Sequence, residues 1–334
     1  MNIITLYHGS GGKGTHELID NIFYKYFYNK ILDQQGDSSI INNINGRIAI
    51  TTDSYVIEPI FFPGGDIGKL SVCGTVNDLA VVGAIPLYLT AGFIIEEGFD
   101  VNDLEKIAIS MANAAKKAGV KIIAGDTKVV EKGKGDKIYI NTAGIGSLRN
   151  DVNLGIANIE VGDKIIVSGT LGDHGTAILC KRQDLNFETE IESDCNALNG
   201  LIEEILNSKL KIRFMRDITR GGLATVLNEI TNHREQGILL DQNCIPVREE
   251  VSGVCEILGV DPLYIANEGR VLVVVASEHS EKVLDIIRNN PLGKEAAVIG
   301  EVVKDKYGRV LLQTNIRGTR ILDMAEAEII PRIC

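Results

Sequence analysis

Two runs of β-branched and apolar residues, 46–57 and 86–95, enclose a segment with a different hydrophobic period. Each run is bounded by Gly, Pro or charged residues, as is typical of a β-strand. In the enclosed segment 66–84, apolar residues recur at steps of three and four, which places them on one face of a helix. These residues are Ile67, Leu70, Cys73, Val76, Leu79 and Ala80. The sequence therefore predicts a strand, a helix and a second strand in succession.

A second helix is predicted over 100–119, because this segment begins with a possible capping residue, Asp100, and ends with two lysines before Gly119. Two further strand-like segments follow it, KIIAGDTKVV and KIYINTAGIGSL. A polar stretch at 149–160 then separates this part of the chain from a second part, which begins with the strand-like DKIIVSG.

The second part contains helix-like segments near 193–208, 221–235, 248–258 and 278–290, and strand-like segments near 270–276, 296–303 and 309–313. Neither part alternates strand and helix as regularly as a doubly wound parallel sheet does. We therefore predict an α+β protein with mixed β-sheets and flanking helices. The predicted domains are residues 1–152 and 153–324, followed by a tail, 325–334, that ends in Cys334.

The charge balance excludes two classes of partner. The chain has 45 acidic and 34 basic side chains and a net charge of −11, which repels nucleic acid and anionic lipid. The N-terminus lacks the features of a signal peptide, and no apolar run approaches the ~20 residues that span a bilayer. We expect a cytoplasmic protein.

The glycine-rich segment GSGGKG (9–14) matches G-x-G-x-x-G and lies between the strand-like IITLY and a helix-like segment. A dinucleotide site would also need a second parallel strand that ends in an acidic residue, and LDQQGDSS reads instead as a loop. Two interpretations stay open. The segment is either a mobile loop or a flap that covers phosphates with its backbone N–H groups.

Three acidic residues indicate a phosphate site. Asp53 follows IAITT and Asp126 follows KIIAG, so both are expected at strand ends, whereas Asp78 lies on the helix between them. Carboxylates beside hydroxyls suit Mg²⁺, which binds few carboxylates together with substrate phosphates. Turn or cap aspartates explain the pattern equally well. Lys128 lies two residues after Asp126 and would share its face in a strand.

The second part offers three weaker signals. RDITRGG (216–222) precedes a helix and provides Asp217 or Thr219 as caps, with arginines that attract anions to the helix start. His174, in SGTLGDHG, is either a loop histidine with satisfied hydrogen bonds or a functional one. Glu268 precedes a strand, where it would be a solvated acid or a general base.

Cys334 is the last residue, after the sequence PRI. The six cysteines contain no C-x-x-C and no zinc-ligand spacing, so a structural metal site is not indicated. A thiol at the chain end is either incidental or carries a group between sites.

Taken together, these motifs resemble a known family. The similarity extends over nearly the whole chain, through HGSGG, TTDSYVI, FFPGGDIGKL, NDLAVVGAIP, GDTKVV, INTAGIG, SGTLGDHG, RDITRGG, ANEG and the terminal PRIC. They resemble the HypE family, the carbamoyl dehydratases of nickel–iron hydrogenase maturation, within the aminoimidazole ribonucleotide synthetase (PurM-like) superfamily. The resemblance implies a two-domain α+β fold, dimerisation through the N-terminal domains, and the use of ATP to phosphorylate an amide-like oxygen.

The resemblance also implies a role for each matching residue. It implies that ATP and Mg²⁺ are bound by Asp53, Asp78 and Asp126, with Asn77, Gly125 and Thr127 beside them, under a flap formed by Gly9, Gly11 and Gly12. Lys128 and Glu268 would flank the reacting group, with Glu268 as the leading candidate for the base. Cys334 would receive a carbamoyl group from the carbamoyltransferase HypF and carry the dehydrated product to an iron-bearing HypC–HypD scaffold.

Three alternatives remain at this point. The chain would instead be a non-catalytic thiol carrier, a nicotinamide-dependent oxidoreductase built on GSGGKG, or another ATP-dependent PurM-like enzyme. ATP binding and hydrolysis distinguish the first two from the dehydratase. Selenophosphate synthetase is disfavoured because its glycine-rich N-terminus would need a reactive cysteine or selenocysteine, and HGSGGKG contains none.

Overall fold

The computed structural model describes residues 3–10, 12–34, 38–41, 46–182, 191–325, 330 and 332–334. Helices of the first part are α1 (Lys13–Leu18), α2 (Lys25–Phe27), α3 (Ile67–Val81) and α4 (Val101–Ala118); a π-helical stretch, Ile19–Tyr24, joins α1 to α2. Its strands are β1 (Ile48–Tyr55), β2 (Phe61–Phe62), β3 (Gly65–Asp66), β4 (Ala84–Glu96), β5 (Lys121–Val130) and β6 (Ile138–Leu148).

Four strands of the first part form a sheet in the order β1-β6-β4-β5, in which β4 and β5 are parallel and the other pairs antiparallel. Helix α3 packs on β1, β4 and β6, and α4 packs on α3. The predicted start and stop signals of α4 are confirmed. The Asp100 side chain accepts a hydrogen bond from the Asn102 N–H, and Gly119 takes the left-handed conformation (φ 74°) that ends the helix.

One face of this sheet has little cover. Residues of β1 alternate between half-buried and exposed, and Ile48 and Ile50 on the exposed side are 49% and 73% accessible. Ile94 on β4 is also exposed. An apolar sheet face open to solvent is uncommon in a monomer and typical of an interface.

Helices of the second part are α5 (Asp173–Arg182), α6 (Asn199–Asn207), α7 (Gly222–Thr231), α8 (Glu249–Leu258) and α9 (Ser280–Asn289). Its strands are β7 (Lys164–Val167), β8 (Ile212–Asp217), β9 (Gln236–Asp241), β10 (Val271–Val275), β11 (Ala297–Lys304), β12 (Val310–Gln313) and β13 (Thr319–Ile321). They form a seven-stranded sheet in the order β13-β12-β9-β11-β7-β10-β8, with β12 and β9 parallel. The α+β class with two mixed sheets is thus confirmed.

The two parts contact each other closely. Helix α3 of the first part packs against α6 and β8 of the second. One cluster of buried apolar residues includes members of both parts, such as Ile67 on α3 and Ile265 before β10. This packing therefore holds residues of the two parts next to each other at their boundary.

Some local predictions were wrong. IITLY forms only a single bridge, Ile3 with Asp100, and a 3₁₀ turn (Leu6–Gly9) follows it. Strands β8 and β9 and helix α5 were not predicted. None of the described helices combines the length and apolar character that crossing a bilayer requires.

Candidate active site

A pocket of about 380 Å³, open to solvent, lies where β1 and α3 of the first part meet the second part. Its lining residues from the first part are Asp53, Ser54, Tyr55, Gly74 and Asp78, and those from the second part are Asp217, Thr219, Arg220, Glu268 and Cys334. Four residues that the sequence predicts to be functional, Asp53, Asp78, Glu268 and Cys334, thus line one pocket.

Asp53 lies within β1, not at its end as predicted, and its side chain is on the face that α3 covers. The Thr75 hydroxyl on α3 donates to Asp53 Oδ2 (3.2 Å), and the Thr51 hydroxyl donates to Asp78 Oδ2 (2.8 Å). Burial and then the Asp53 charge raise the pKa of Asp78 to about 6. Two carboxylates held this close repel each other, and a cation between them would relieve the repulsion.

Asp217 and Glu268 add two buried carboxyl groups, which are 8% and 3% exposed. Burial, followed by the charge of Asp78, raises the pKa of Asp217 to about 7. Burial, followed by the charge of Asp217, raises the pKa of Glu268 well above its ordinary value. The expectation of a solvated acid was wrong, because the segment before β10 enters the protein interior.

The backbone at Glu268 is fixed by another buried acid. The Asp194 carboxylate accepts the N–H groups of Glu268 (3.0 Å) and Gly269 (3.1 Å). Arg270 lies 3.6 Å from Asp194 and 3.1 Å from Asp173, both of which are buried. One Glu268 oxygen, Oε1, is buried without a hydrogen-bond partner among the described residues. Such an atom in a binding pocket is available to a ligand.

The segment RDITRGG brings the positive charge of Arg220 into the pocket, where it lowers the pKa of Glu268. The predicted caps were wrong, since the N-cap of α7 is Gly221. Gly221 and Gly222 both have positive φ (76° and 61°), and a Cβ on Gly222 would lie 2.5 Å from the Leu263 carbonyl oxygen. The glycines turn the chain sharply, which leaves Asp217 and Thr219 beside the pocket.

Cys334 reaches the pocket because the end of the chain is bound between the two parts. The Val56 N–H donates to a Cys334 main-chain oxygen (3.2 Å), and the Glu58 N–H donates to the Arg332 carbonyl (3.2 Å). Arg332 forms an ion pair with Glu58 (3.0 Å), and the Ile333 side chain is buried. Residues 326–329 and Pro331 lie outside the described residues, so the mobility predicted for the tail stays a prediction.

Asp126 and Lys128, which were also predicted to lie at the nucleotide site, lie outside this pocket. Asp126 and Lys128 lie within β5, the edge strand farthest from β1, and their side chains are 70% and 66% exposed and 3.5 Å apart. Three strand spacings place the edge strands about 14 Å apart. The prediction that Lys128 shares a face with Asp126 is confirmed, but both expected strand-end positions, Asp53 and Asp126, were wrong.

The strand register also places Asp53 and Asp126 on opposite faces of the sheet. Asp53 pairs with Thr142, which pairs with Ala91. Ala91 in turn pairs with Gly125, so Gly125 shares the face of Asp53 and Asp126 lies on the open face. Within one chain, the structure therefore does not bring Asp126 or Lys128 to the acidic pocket.

Beside Asp126 is a mostly apolar pocket, of about 150 Å³, between α1–α2 and the sheet. Phe23, Phe27, Phe93, Gly125 and Thr127 are among its lining residues, and the rings of Phe23 and Phe93 stack at 4.4 Å. A cavity of this kind suits a flat apolar ring.

The glycine-rich segment is near this cavity. A Cβ on Gly9 would lie 2.6 Å from Val129 Cβ, so Gly9 packs directly on β5. Gly12 is the N-cap of α1. Gly11 lies outside the described residues. The predicted role of all three as a flap stays a prediction.

Asn77 has a structural role in this conformation. Its side-chain nitrogen donates to the Asn196 carbonyl (3.1 Å), and its oxygen accepts the Leu198 N–H (2.7 Å). Both bonds join α3 to the second part and hold the two parts together, and the predicted contact of Asn77 with nucleotide stays a prediction.

Sequence reasoning missed Tyr55 and Asp194 as pocket or supporting residues, whereas it expected the arginines of RDITRGG to attract anions, and one of them, Arg220, lines the pocket. Tyr55 is buried, and its hydroxyl lies 3.2 Å from the Thr75 hydroxyl. Nothing local marks Asp194, which depends on contacts distant in sequence.

The chain matches two family models, the N-terminal domain of AIR synthase related protein over residues 36–148 and its C-terminal domain over 160–313. It is 49% identical to carbamoyl dehydratase HypE of Rhizobium leguminosarum bv. viciae over 332 residues, which cover 99% of this chain and 95% of the relative.

Two solved structures are also similar. The hydrogenase maturation protein HypE in complex with ATP has a TM-score of 0.95 at 44% identity, over 99% of each chain. A chain of the HypE–HypF complex has a TM-score of 0.81 at 49% identity, covering 92% of this chain and 99% of that one.

Proposed function

Since this chain belongs to the AIR synthase related family and, within it, to the HypE carbamoyl dehydratases, we propose that it uses ATP to dehydrate a carbamoyl group carried on its own Cys334. The product is a thiocyanate, which supplies cyanide ligands for nickel–iron hydrogenase. The observation that carries this proposal is the pocket in which Cys334 meets Asp53, Asp78 and Glu268.

The acidic pocket accounts for the phosphate end of ATP. A HypE relative has been solved with ATP, and we assign ATP to this chain on that similarity. No three His, Cys, Asp or Glu side chains in the described part of the chain enclose a metal ion by themselves. The neighbouring carboxylates of Asp53 and Asp78 suit Mg²⁺, which they would hold together with the phosphates. When bound, Mg²⁺ supplies positive charge between the phosphates and the carboxylates.

The position of the nucleotide base and the role of the residues on β5 are explained by a site that two copies of the chain share. The exposed sheet face carries Ile48, Ile50 and Ile94, and it also carries Asp126 and Lys128. If this face packs on the same face of a second copy, β5 of one chain lies beside β1 of the other. A homodimer of this kind would thereby bring Asp126 and Lys128 of one chain toward β1 of its neighbour.

The chemistry follows from the groups in the pocket. Oxygen is a poor leaving group from a thiocarbamate, so loss of water is slow without activation. The carbamoyl oxygen attacks the γ-phosphorus, the bond to the β-phosphate breaks, and ADP leaves. The nitrogen gives up one proton as the oxygen is phosphorylated and the second as the carbon–oxygen bond breaks. Both protons leave with the released phosphate, as H₂PO₄⁻, and S–C≡N remains. Arg220 lies where it stabilises the phosphoryl oxygens.

Glu268 is the proposed proton acceptor, with its buried carboxyl beside Cys334 in the pocket. Burial raises its pKa, which makes its carboxylate a stronger base than that of an exposed glutamate. Arg220 favours the charged form of this side chain, and Lys128 of a second copy would favour it further as the electrostatic partner.

Partners follow from the same chemistry. A HypE relative forms a complex with HypF, and we propose that HypF donates the carbamoyl group to Cys334 here. The HypC–HypD scaffold would accept the cyanide. Both steps require the tail to leave the pocket, which breaks the hydrogen bonds of residues 332–334 with Val56 and Glu58.

Phosphate release tests the proposal against the non-catalytic carrier. A dehydratase that acts on its own tail releases one phosphate for each carbamoylated Cys334 and then stops. Phosphate should be measured together with the fraction of loaded tail, with Cys334→Ala as the control. A loaded chain that releases no phosphate would show a carrier, and binding of NAD in place of ATP would show the oxidoreductase.

A further inference from the structure

His174, near the N-terminal end of α5, contacts the bound tail from the interior of the second part. It is completely buried, with Nε2 2.8 Å from the Ile333 carbonyl oxygen and Nδ1 2.7 Å from Ser193 Oγ. A carbonyl only accepts hydrogen bonds, so Nε2 carries the proton. Nδ1 of the neutral ring then accepts the Ser193 hydroxyl proton. Burial also lowers the pKa of His174, which favours this neutral form.

The next residue along the chain leads to the active site. Ser193 precedes Asp194, whose two carboxylate oxygens bind the N–H groups of Glu268 and Gly269. The Ser193 hydroxyl oxygen also accepts the Cys195 N–H (3.1 Å), which closes a turn around Asp194. The tail is therefore connected to the backbone of Glu268 by the hydrogen bonds of His174 and those of Asp194, which are joined through the peptide bond between Ser193 and Asp194.

We propose that His174 is a positioning residue that couples binding of the Cys334 tail to the placement of Glu268, through Ser193 and Asp194. The inference rests on the proposed function, since it assigns Glu268 the role of base. The coupling explains why His174, which does not line the pocket, is buried with both ring nitrogens hydrogen-bonded.

Other contacts hold the tail without this connection. Val56 and Glu58 bind it from the first part, and the Arg182 guanidinium binds the Arg332 carbonyl. Gly175 lies beside it, where a Cβ would be 3.0 Å from the Ile333 side chain. Among the tail contacts described, the His174 bond is the one that continues to the segment carrying Asp194.

The two ring nitrogens can be tested separately. In His174→Gln, the side-chain amide reaches the position of Nε2 and can still donate to Ile333, but it does not replace Nδ1. In His174→Asn, Oδ1 can accept from Ser193, but the tail loses its donor. Ser193→Ala removes the connection without touching the tail or Glu268.

Two readouts separate tail binding from coupling. The first is the rate at which iodoacetamide alkylates Cys334, measured on the C-terminal peptide. The second is the single-turnover rate of thiocyanate formation at saturating ATP, corrected for the loaded fraction. We expect His174→Asn to speed alkylation several-fold, whereas His174→Gln and Ser193→Ala leave alkylation near the wild-type rate. The latter two should nonetheless slow thiocyanate formation about tenfold, with unchanged affinity for ATP.

The connection also predicts non-additivity. The double variant His174→Gln/Ser193→Ala should be no slower than the slower single variant, because both break the same link. Wild-type rates of thiocyanate formation in Ser193→Ala and His174→Gln would overturn the coupling, as would unchanged alkylation in His174→Asn. A wild-type chain that is loaded but forms no thiocyanate would instead overturn the proposed function, and the coupling with it.

Discussion

Cys334 and Glu268 line the same pocket, although one ends the chain and the other precedes β10 in the second sheet. The main-chain bonds of residues 332–334 to Val56 and Glu58 place the thiol there. The hydrogen bonds of Asp194 hold the backbone of Glu268. The reacting group and its proposed base thus reach one pocket from distant parts of the chain, and the proposed His174–Ser193 connection links the two sets of contacts.

Cys334→Ala should keep ATP affinity close to that of the wild type and form no thiocyanate. The thiol is the only atom removed, and the main-chain bonds that hold the tail do not involve it. Calorimetric titration with ATP measures the first property and mass spectrometry of the C-terminal peptide the second. Thiocyanate elsewhere in the chain of this variant would show that Cys334 is not the carrier.

Glu268→Gln should fold normally, accept the carbamoyl group, and slow dehydration at least about 100-fold, a loss typical of removing a general base. Glutamine preserves the shape of this buried side chain and carries no charge, so stability should change little. Single-turnover dehydration with a quantified loaded fraction measures the effect. Thiocyanate formed at the normal rate would remove Glu268 from the role of base.

Asp217→Asn should stabilise the unliganded chain at neutral and alkaline pH. The pKa of Asp217 is raised from 3.8 to about 7, so its favourable contribution is complete below pH 3.8 and is lost as the pH rises through 7. Above pH 7 the free energy of unfolding of the variant should therefore exceed that of the wild type, by at most about 4 kcal/mol. The difference should vanish below about pH 4.

Thermal unfolding across this pH range measures that difference. Asp285→Asn is a matched control, because Asp285 is exposed on α9. A gain in Tm for the Asp217 variant that does not depend on pH would contradict the assignment of a buried, charge-repelled carboxyl.

Ile50→Glu should shift the protein from dimer to monomer. Ile50 is 73% exposed on the open face of the first sheet, where a carboxylate would be desolvated by a second copy. Light scattering after size-exclusion chromatography gives the mass. Ile316→Glu, at an 85% exposed position of the second part, is the control and should leave the mass unchanged. Equal masses for both variants and the wild type would place the interface elsewhere or exclude it.

The sequence predicted those elements whose signals are local. Helices α3 and α4 have clear apolar spacing, and α4 has a capping Asp100 and a terminating Gly119, so both were located to within a few residues. β8 was missed because RFMRD mixes charged and apolar residues without clear alternation. α5 was missed because it begins within a glycine-rich loop pattern.

The sequence predicted which residue types form the candidate site, but not how these residues are arranged in space. Nothing local shows that Asp126 lies on the edge strand opposite Asp53, because sheet order depends on pairing between distant segments. The same holds for Glu268, which becomes buried through contacts with residues 193–196. His174 illustrates the limit most clearly, since its two partners, Ser193 and Ile333, are remote from it in sequence.

The central claim, that this chain dehydrates a carbamoyl group on its own last residue, is tested most directly by mass spectrometry of the C-terminal peptide. The chain is incubated with the carbamoyltransferase and carbamoyl phosphate, and ATP is then added. We predict a carbamoyl adduct on Cys334 that loses one water only when ATP is present. An unmodified Cys334, or an adduct that persists with ATP, would contradict the account.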